Sequence, residues 1–154
     1  FNLLAKTQLQ HVPYKGGGPA MIDVMSGQVP VMFASMGSAW QHVKNGKLRA
    51  VAVGGLERSK TAPDLPTIAE SGVPGYETYE WNAVFAPAGT PPALIARLQS
   101  SLQATVDDAG LQKKAYDMGL VLEKQPRPQA LAAFLKQELD KWGKVARAAH
   151  MSAN

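Results

Sequence analysis

Short strand-like and helix-like segments alternate along the first half of the chain. Runs with strand character lie at Gln10–Lys15, Val29–Ser35 and Leu48–Val53, each bounded by glycine. Between them, helical spacing predicts a helix from Pro19 to about Ser26 and another from Ser38 to Lys44. Because parallel strands need crossovers that are usually helical, this order predicts an α/β fold with a mainly parallel sheet.

Longer periodic stretches fill the second half of the chain. A strand over Tyr79–Ala86 is expected to lead into a helix that Thr90 caps and Pro91 begins, reaching about Asp108. A further helical segment ends at Gly119. These helices are longer than those of the first half, which predicts two structural units.

Three further elements complete the pattern. Thr67 and Glu70 have the spacing of a capping box, in which each residue bonds the backbone N–H of the other. A short strand is predicted over Leu120–Lys124, and a long amphipathic helix is predicted to start near Pro128. The boundary between the two units is placed near Trp81, so residues 1–80 and 81–154 form the predicted units.

Composition and charge exclude several classes of protein. The 154 residues carry 16 Lys and Arg against 12 Asp and Glu, a net charge of +4, and the basic residues form no block. A nucleic-acid surface normally has a dense basic stripe, so we expect no nucleic-acid partner. No apolar run approaches the roughly 18 residues of a membrane span. With no cysteine, disulfides and thiolate chemistry are excluded.

The strongest candidate site is the turn where the first strand meets the first predicted helix. Tyr14, Lys15, Gly16, Gly17 and Gly18 lie there, directly before Pro19. Unpaired backbone N–H groups at a helix start bind carboxylate or phosphate, and glycines let the ligand approach closely. A plain strand-to-helix turn, with glycines needed for positive φ, explains the same residues equally well.

A second loop follows the next predicted strand and contains Ser35 and Met36. Ligands of parallel α/β sheets bind outside the carboxyl ends of the strands, so both loops can line one site. Trp81 either lines the cleft at the unit boundary or packs internally. Ser38 is interpreted as a helix cap and His42 as a structural residue. The spacing of the histidines predicts no metal site, and no nucleophile or cofactor motif is present.

Five motifs in order resemble one family of transport receptors. They lie at His11–Gly16, Gly27–Phe33, Gly46–Val53, Asp64–Tyr76 and Phe85–Pro91. Together they resemble the Bug, or TctC-like, periplasmic receptors of tripartite tricarboxylate transporters. The resemblance covers only the C-terminal half of such a receptor, so the signal peptide and the N-terminal half are expected to lie outside this chain.

The resemblance implies a type II periplasmic binding fold, a three-layer αβα architecture with a ligand cleft between two lobes. Residues 1–80 would belong to ligand-binding lobe 2, and residues 81–154 to the C-terminal part of lobe 1. The implied protein is a receptor and not an enzyme, without cofactor or metal. It would capture a small di- or tricarboxylate in the periplasm and deliver it to the membrane subunits of a secondary transporter.

By similarity, Tyr14, Lys15, Gly16 and the loop at Ser35 face the ligand. Many family members carry an acidic residue where this chain has Ala34 and Ser35, which favours a plain carboxylic acid over an amino acid. The alternatives are the effector domain of a transcriptional regulator and a small α/β enzyme. We also expect this chain alone to bind its solute weakly and to form a homodimer or larger assembly through exposed apolar surface.

Overall fold

The computed structural model describes residues 1–122 and 128–149, and regular structure in that part of the chain is helical. In chain order, the helices are Asn2–Ala5 (α1), Gly17–Met25 (α2), Met36–Lys44 (α3), Pro92–Asp107 (α4), Ala109–Asp117 (α5) and Pro128–Ala148 (α6). Both ends of α2, α3 and α4, and the start of α6, lie within two residues of the predicted positions. The four-residue α1 has no counterpart among the predictions.

Left-handed glycines follow the helices where the sequence predicts an end. Gly27 after α2 has φ +79°, Gly46 after α3 has φ +69°, and Gly119 after α5 has φ +78°. Glycine adopts this conformation without the Cβ clash that other residues meet. The turn signals therefore located the helix ends correctly.

Two predicted helix caps are wrong by a few residues. The N-cap of α3 is Ser35 and not Ser38, because the Ser35 carbonyl already accepts the N–H of Ala39 at 3.1 Å. Pro91 occupies the N-cap position of α4, while the Thr90 hydroxyl donates to the Pro87 carbonyl at 2.7 Å. In both cases the hydroxyl bonds a carbonyl three residues earlier, so it caps no N–H group.

The predicted parallel sheet is not confirmed in the described part of the chain. The one β-bridge there joins Val53 and Thr67 in parallel, with Val53 N–H donating to the Pro66 carbonyl and Ile68 N–H donating to the Val53 carbonyl, both at 2.9 Å. The segments 10–15, 29–35, 48–52 and 79–86 have no ladder partner among the described residues. A helix satisfies its backbone groups internally, whereas a strand needs a neighbour. Of the predicted strand at Leu120–Lys124, residues 123 and 124 lie outside the described residues.

The predicted capping box at Thr67 is confirmed, although a turn and not a helix follows it. Thr67 N–H donates to Glu70 Oε2 at 2.7 Å, and Glu70 N–H donates to Thr67 Oγ1 at 3.0 Å. Arg58 adds a salt bridge to the same carboxylate at 3.0 Å. The Thr67 N–H and the Arg58 guanidinium together lower the pKa of Glu70. This closed set of bonds fixes the loop between residues 53 and 72.

Among the described residues, the contacts that join the first 80 residues to the rest of the chain include two sets that bear on the site. In one, α6 packs on residues 77–81, where Phe134 lies 5.2 Å from the Trp81 ring and 6.3 Å from the Tyr79 ring. In the other, the turn after α5 packs against the start of α3. The division of the chain near Trp81 stays a prediction.

Much apolar surface is exposed. The chain has an accessible surface of 11922 Å², against about 7,500 Å² expected for a compact monomer of 16.4 kDa. Val31, Phe33, Val51, Val84 and Phe85, all in predicted strands, are at least half exposed. The apolar side chains of these segments thus lack the cover that a packed sheet would give them.

Candidate functional site

Helices α2 and α3 line an open cavity of about 450 Å³. This volume lies within the usual range of small-molecule sites, roughly 300–1,000 Å³. The cavity is lined by Gly17, Gly18, Met21, Ile22, Met25, Ser35, Ser38 and His42. The two candidate loops predicted from the sequence therefore face one common space.

Residues at the N-terminal ends of both helices line this cavity, beside residues from later turns of the same helices. The N-cap residues, Gly16 of α2 and Ser35 of α3, cap no backbone N–H group with a side-chain hydrogen bond. The leading N–H groups of a helix have no intrahelical partner and carry the positive end of its dipole. A Cβ added at Gly17 or Gly18 would meet nothing within 4 Å. An anion can therefore approach this backbone closely.

Two hydroxyl groups stand on the α3 side of the cavity. Ser35 Oγ and Ser38 Oγ are 2.9 Å apart, and Ser38 Oγ also lies 3.0 Å from the Ser35 carbonyl oxygen. A hydroxyl proton rotates to suit its partner, so either group can turn toward a ligand oxygen. His42 lies one turn further along the same helix and adds an imidazole nitrogen.

The α2 side of the cavity is apolar. Met21 is 5% exposed and belongs to the small buried core, while Ile22 and Met25 lie further along the same wall. Methionine side chains adapt to irregular shapes, so this wall suits a short hydrocarbon segment. The cavity thus combines anion-binding ends with an apolar side.

The predicted site residues separate into two groups. Gly17, Gly18 and Ser35 line the cavity. Lys15 and Gly16 are exposed residues immediately before α2, and they are not among its lining residues.

The remaining predicted residues contact other parts of the chain. Tyr14 donates its hydroxyl to Asp23 Oδ2 at 2.6 Å, and this bond raises the pKa of Tyr14. Met36 lies against the turn at Gly119. Trp81 donates its indole N–H to Glu138 Oε2 at 3.2 Å, which favours the packing alternative for this residue.

The sequence reasoning did not single out Met21, Met25, Ser38 or His42 as lining residues. The sequence held a signal for Ser38 and His42, because positions 35, 38 and 42 are spaced by three and four residues and so share one helix face. The side of α2 that faces this space depends on tertiary packing.

Three other features of the described residues bear on function. Within residues 1–122 and 128–149, no group of three or more His, Asp or Glu side chains is placed to hold a metal ion. No helix of that part of the chain is long and apolar enough to cross a membrane. A second, smaller cavity of about 170 Å³ lies between residues 59–61 and residues 112–122.

Comparison with known proteins identifies the family. The family model of the tripartite tricarboxylate transporter family receptor, TctC, matches residues 1–151. The chain belongs to this receptor family. This assignment does not favour the regulator or the enzyme considered above.

Solved structures of similar chains include three binding proteins. The periplasmic binding protein BugD is 36% identical, with a TM-score of 0.87 over 99% of this chain and 52% of its own. Rpa4515 of R. palustris, solved with adipate, is 31% identical, with a TM-score of 0.87 over 97% of this chain and 50% of its own. MatC of Rhodopseudomonas palustris, solved with bound malate, is 33% identical, with a TM-score of 0.83 over 94% of this chain and 50% of its own.

These similarities support an α/β binding-protein fold for the chain. The chain spans about half the length of the curated relatives it matches.

Proposed function

We propose that this chain forms one wall of the carboxylate-binding cleft of a periplasmic solute receptor. The observation that carries the proposal is the convergence of the first turns of α2 and α3 on one cavity of about 450 Å³. Two helix N-termini offer backbone N–H groups and partial positive charge to the same ligand. The similarity to proteins solved with adipate and with malate supports the same ligand class.

The chemistry of the cavity favours a di- or tricarboxylate without an amino group. A carboxylate would accept hydrogen bonds from the N–H groups at Gly17 and Gly18, and from the hydroxyls of Ser35 and Ser38. Lys15, exposed beside the α2 start, would add long-range attraction. No carboxylate side chain is among the residues that line the cavity in the described part of the chain. An ammonium group would therefore lose its water without gaining a charged partner.

The receptor would work by capture and delivery, without chemistry on its ligand. Residues 1–80 would belong to lobe 2 and residues 81–154 to lobe 1 of a type II periplasmic binding fold. Closure of the lobes would exclude water and strengthen each polar contact. The loaded receptor would then dock on the membrane subunits of a tripartite tricarboxylate transporter. Trp81, at the proposed crossing between lobes, is held by Glu138 of α6.

The remaining half of the receptor would supply part of the binding free energy. A micromolar receptor has a binding free energy of about −8 kcal/mol, and half of that corresponds to millimolar affinity. We therefore expect the 154-residue chain alone to bind a dicarboxylate only at millimolar concentration.

The exposed apolar surface of the strand-like segments would be covered by a second copy when the chain is isolated. Sedimentation equilibrium of the 154-residue chain should report a dimer or a larger assembly. A monomer across the micromolar range would refute the expected homo-oligomer.

Calorimetric titration of a full-length receptor that carries this chain as its C-terminal half tests the binding proposal. Malate and adipate should bind with micromolar affinity, and aspartate should bind at least tenfold more weakly. Ser35→Ala should weaken dicarboxylate binding by roughly ten- to a hundredfold, because a hydrogen bond to a charged group contributes about 1.5–3 kcal/mol. Lys15→Ala removes a long-range attraction and no hydrogen bond, so it should weaken binding less than Ser35→Ala does.

Matched controls come from exposed residues outside the cavity. Ser100→Ala on α4 and Lys47→Ala after α3 remove the same groups and should leave the affinity within twofold. Equal affinity of the Ser35→Ala and Ser100→Ala variants would count against the cavity as the carboxylate site. Preference for aspartate over malate would refute the proposed ligand class.

A further inference from the structure

The loop that carries the cavity hydroxyls rests on a turn from the second half of the chain. Residues 117–120, here called the support turn, contact the start of α3 from the side of Met36 and Gly37. A Cβ built on Gly119 would lie 2.9 Å from Met36 Cβ, and one built on Gly37 would lie 3.3 Å from Leu120 Cδ2. Each glycine therefore lies against a side chain of the other segment, and an added Cβ would crowd that side chain.

Gly119 meets two separate requirements in the support turn. Its φ of +78° is a left-handed conformation that side chains disfavour. In addition, any side chain at this position would push on Met36, whose Cβ is fixed to the first turn of α3. The contact with Met36 constrains the position of α3, which the left-handed conformation of Gly119 alone would not do.

Polar bonds hold the support turn and its flanks in place. Lys44 at the end of α3 donates from Nζ to the Asp117 carbonyl at 3.2 Å. The Tyr116 hydroxyl donates to the Lys60 carbonyl at 3.1 Å. Lys113 pairs with the Asp117 carboxylate at 2.8 Å. The turn is thus tied to both ends of α3 and to the loop at Lys60, which limits how far α3 can move.

We infer that the support turn is a positioning element for the proposed carboxylate site. It would fix α3, and with it Ser35 and Ser38, at the distance from Gly17 and Gly18 that a bound carboxylate needs. Charge-assisted hydrogen bonds are short, about 2.7–2.9 Å for N–H donors, so a shift of α3 by about 1 Å would weaken several of them together. The part that concerns ligand affinity rests on the proposed function, whereas the positioning of α3 does not.

Gly119→Ala tests the inference, and Gly75→Ala is its matched control. Gly75 has the same φ of +78°, but a Cβ there would meet nothing within 4 Å. Both variants carry the same backbone strain, and only Gly119→Ala pushes on α3. Hydrogen exchange of the α3 amides in the 154-residue chain should accelerate about tenfold more in Gly119→Ala than in Gly75→Ala. In the full-length receptor, malate binding should weaken about tenfold in Gly119→Ala alone.

A second variant removes the contact without straining the backbone. Leu120→Ala deletes the side chain that touches Gly37, and Leu98→Ala on α4 is its control, since the two leucines are 41% and 45% exposed. Leu120→Ala should raise α3 exchange and weaken malate binding by roughly three- to tenfold, while Leu98→Ala should do neither. This pair decides the question if Gly119→Ala does not fold.

The α3 exchange data test the positioning role of the support turn, and the malate affinity tests its link to the proposed function. Equal α3 exchange in the Gly119→Ala and Gly75→Ala variants, together with equal exchange in the two leucine variants, would overturn the positioning of α3. Faster exchange with unchanged malate affinity would overturn the link to the site. A wild-type receptor that binds no dicarboxylate would refute the proposed function, while the exchange data would still decide whether the turn positions α3.

Discussion

The carboxylate of Glu138 is expected to hold α6 on the crossing segment at residues 77–81. Glu138 is 8% exposed, and its Oε2 accepts hydrogen bonds from the indole N–H of Trp142 at 3.0 Å and of Trp81 at 3.2 Å. Lys141 Nζ lies 3.8 Å from the other carboxylate oxygen and 3.3 Å from Glu77 Oε2. One buried carboxylate therefore organises both indoles and a lysine, and Glu138→Ala should loosen all of these contacts.

The structure sets the size of the effect. A hydrogen bond to a charged group contributes about 1.5–3 kcal/mol, and Glu138 accepts two of them. Trp81 and Trp142 are 36% and 43% exposed, so water will satisfy their N–H groups in part after the substitution. We expect Glu138→Ala to lower the free energy of unfolding by about 2–3 kcal/mol. Glu138→Gln keeps an acceptor and loses the charge, so its loss should be about 1 kcal/mol.

Urea unfolding of the 154-residue chain, followed by tryptophan fluorescence, measures these losses. Asp140→Ala is the control, because Asp140 is an exposed acid on the same helix and should change the free energy by less than about 0.5 kcal/mol. A Glu138→Ala variant as stable as Asp140→Ala would show that the Glu138 carboxylate does not hold α6 on residues 77–81. An equal loss in Glu138→Gln and Glu138→Ala would show that the charge, and not the acceptor geometry, holds the helix.

Three further predictions concern the loop at Thr67 and the small core. The pKa of Glu70 in the folded chain lies below its ordinary value of 4.5. The ionised Glu70 should therefore stabilise the fold fully above pH 4.5, and this stabilisation should be lost as the pH falls through the folded pKa. Glu70→Gln should flatten this part of a pH–stability curve, and an unchanged curve would contradict the assignment. Thr67→Val should cost about 1 kcal/mol in urea unfolding, because the buried cap loses the oxygen that accepts from the Glu70 N–H; no loss would count against the cap. Met21→Ala should cost about 2–4 kcal/mol and the exposed Met118→Ala less than about 0.5, and equal costs would place Met21 outside the core.

The helices were predictable because their signals are local. Gly27, Gly46 and Gly119 each follow a helix end, and a proline begins α4, although it is Pro92 and not the predicted Pro91. The capping box at Thr67 formed for the same reason, since both partners lie within four residues. The error of three residues at Ser38 arose because Ser35 was an equally good cap one turn earlier.

The sheet was not predictable from the same kind of signal. Segments such as 29–35 and 48–53 have the composition of strands, but a ladder forms only where a neighbour offers backbone groups in register. The chain spans about half the length of its curated relatives, and its strand-like segments carry the exposed Val31, Phe33 and Val51. Strand propensity therefore identified the segments without determining their pairing.

The candidate site was predictable in part. Gly17 and Gly18 were singled out because a glycine-rich helix start is a local feature, and Ser35 because it follows a strand-like run. His42 was assigned a structural role because its place beside the cavity depends on how α3 packs against α2. The functional assignment of Tyr14 did not anticipate its bond to Asp23, which is a tertiary contact over nine residues.

Amide chemical shifts of the full-length receptor during a malate titration would show whether the cavity between α2 and α3 is the carboxylate site. We expect the largest shifts at Gly17, Gly18 and residues 35–38. They should saturate at micromolar malate and be lost in Ser35→Ala at the same concentration. Largest shifts at residues 59–61 and 112–122, around the smaller cavity, would contradict the account. So would shifts of equal size with aspartate, because the cavity between α2 and α3 offers an ammonium group no carboxylate partner.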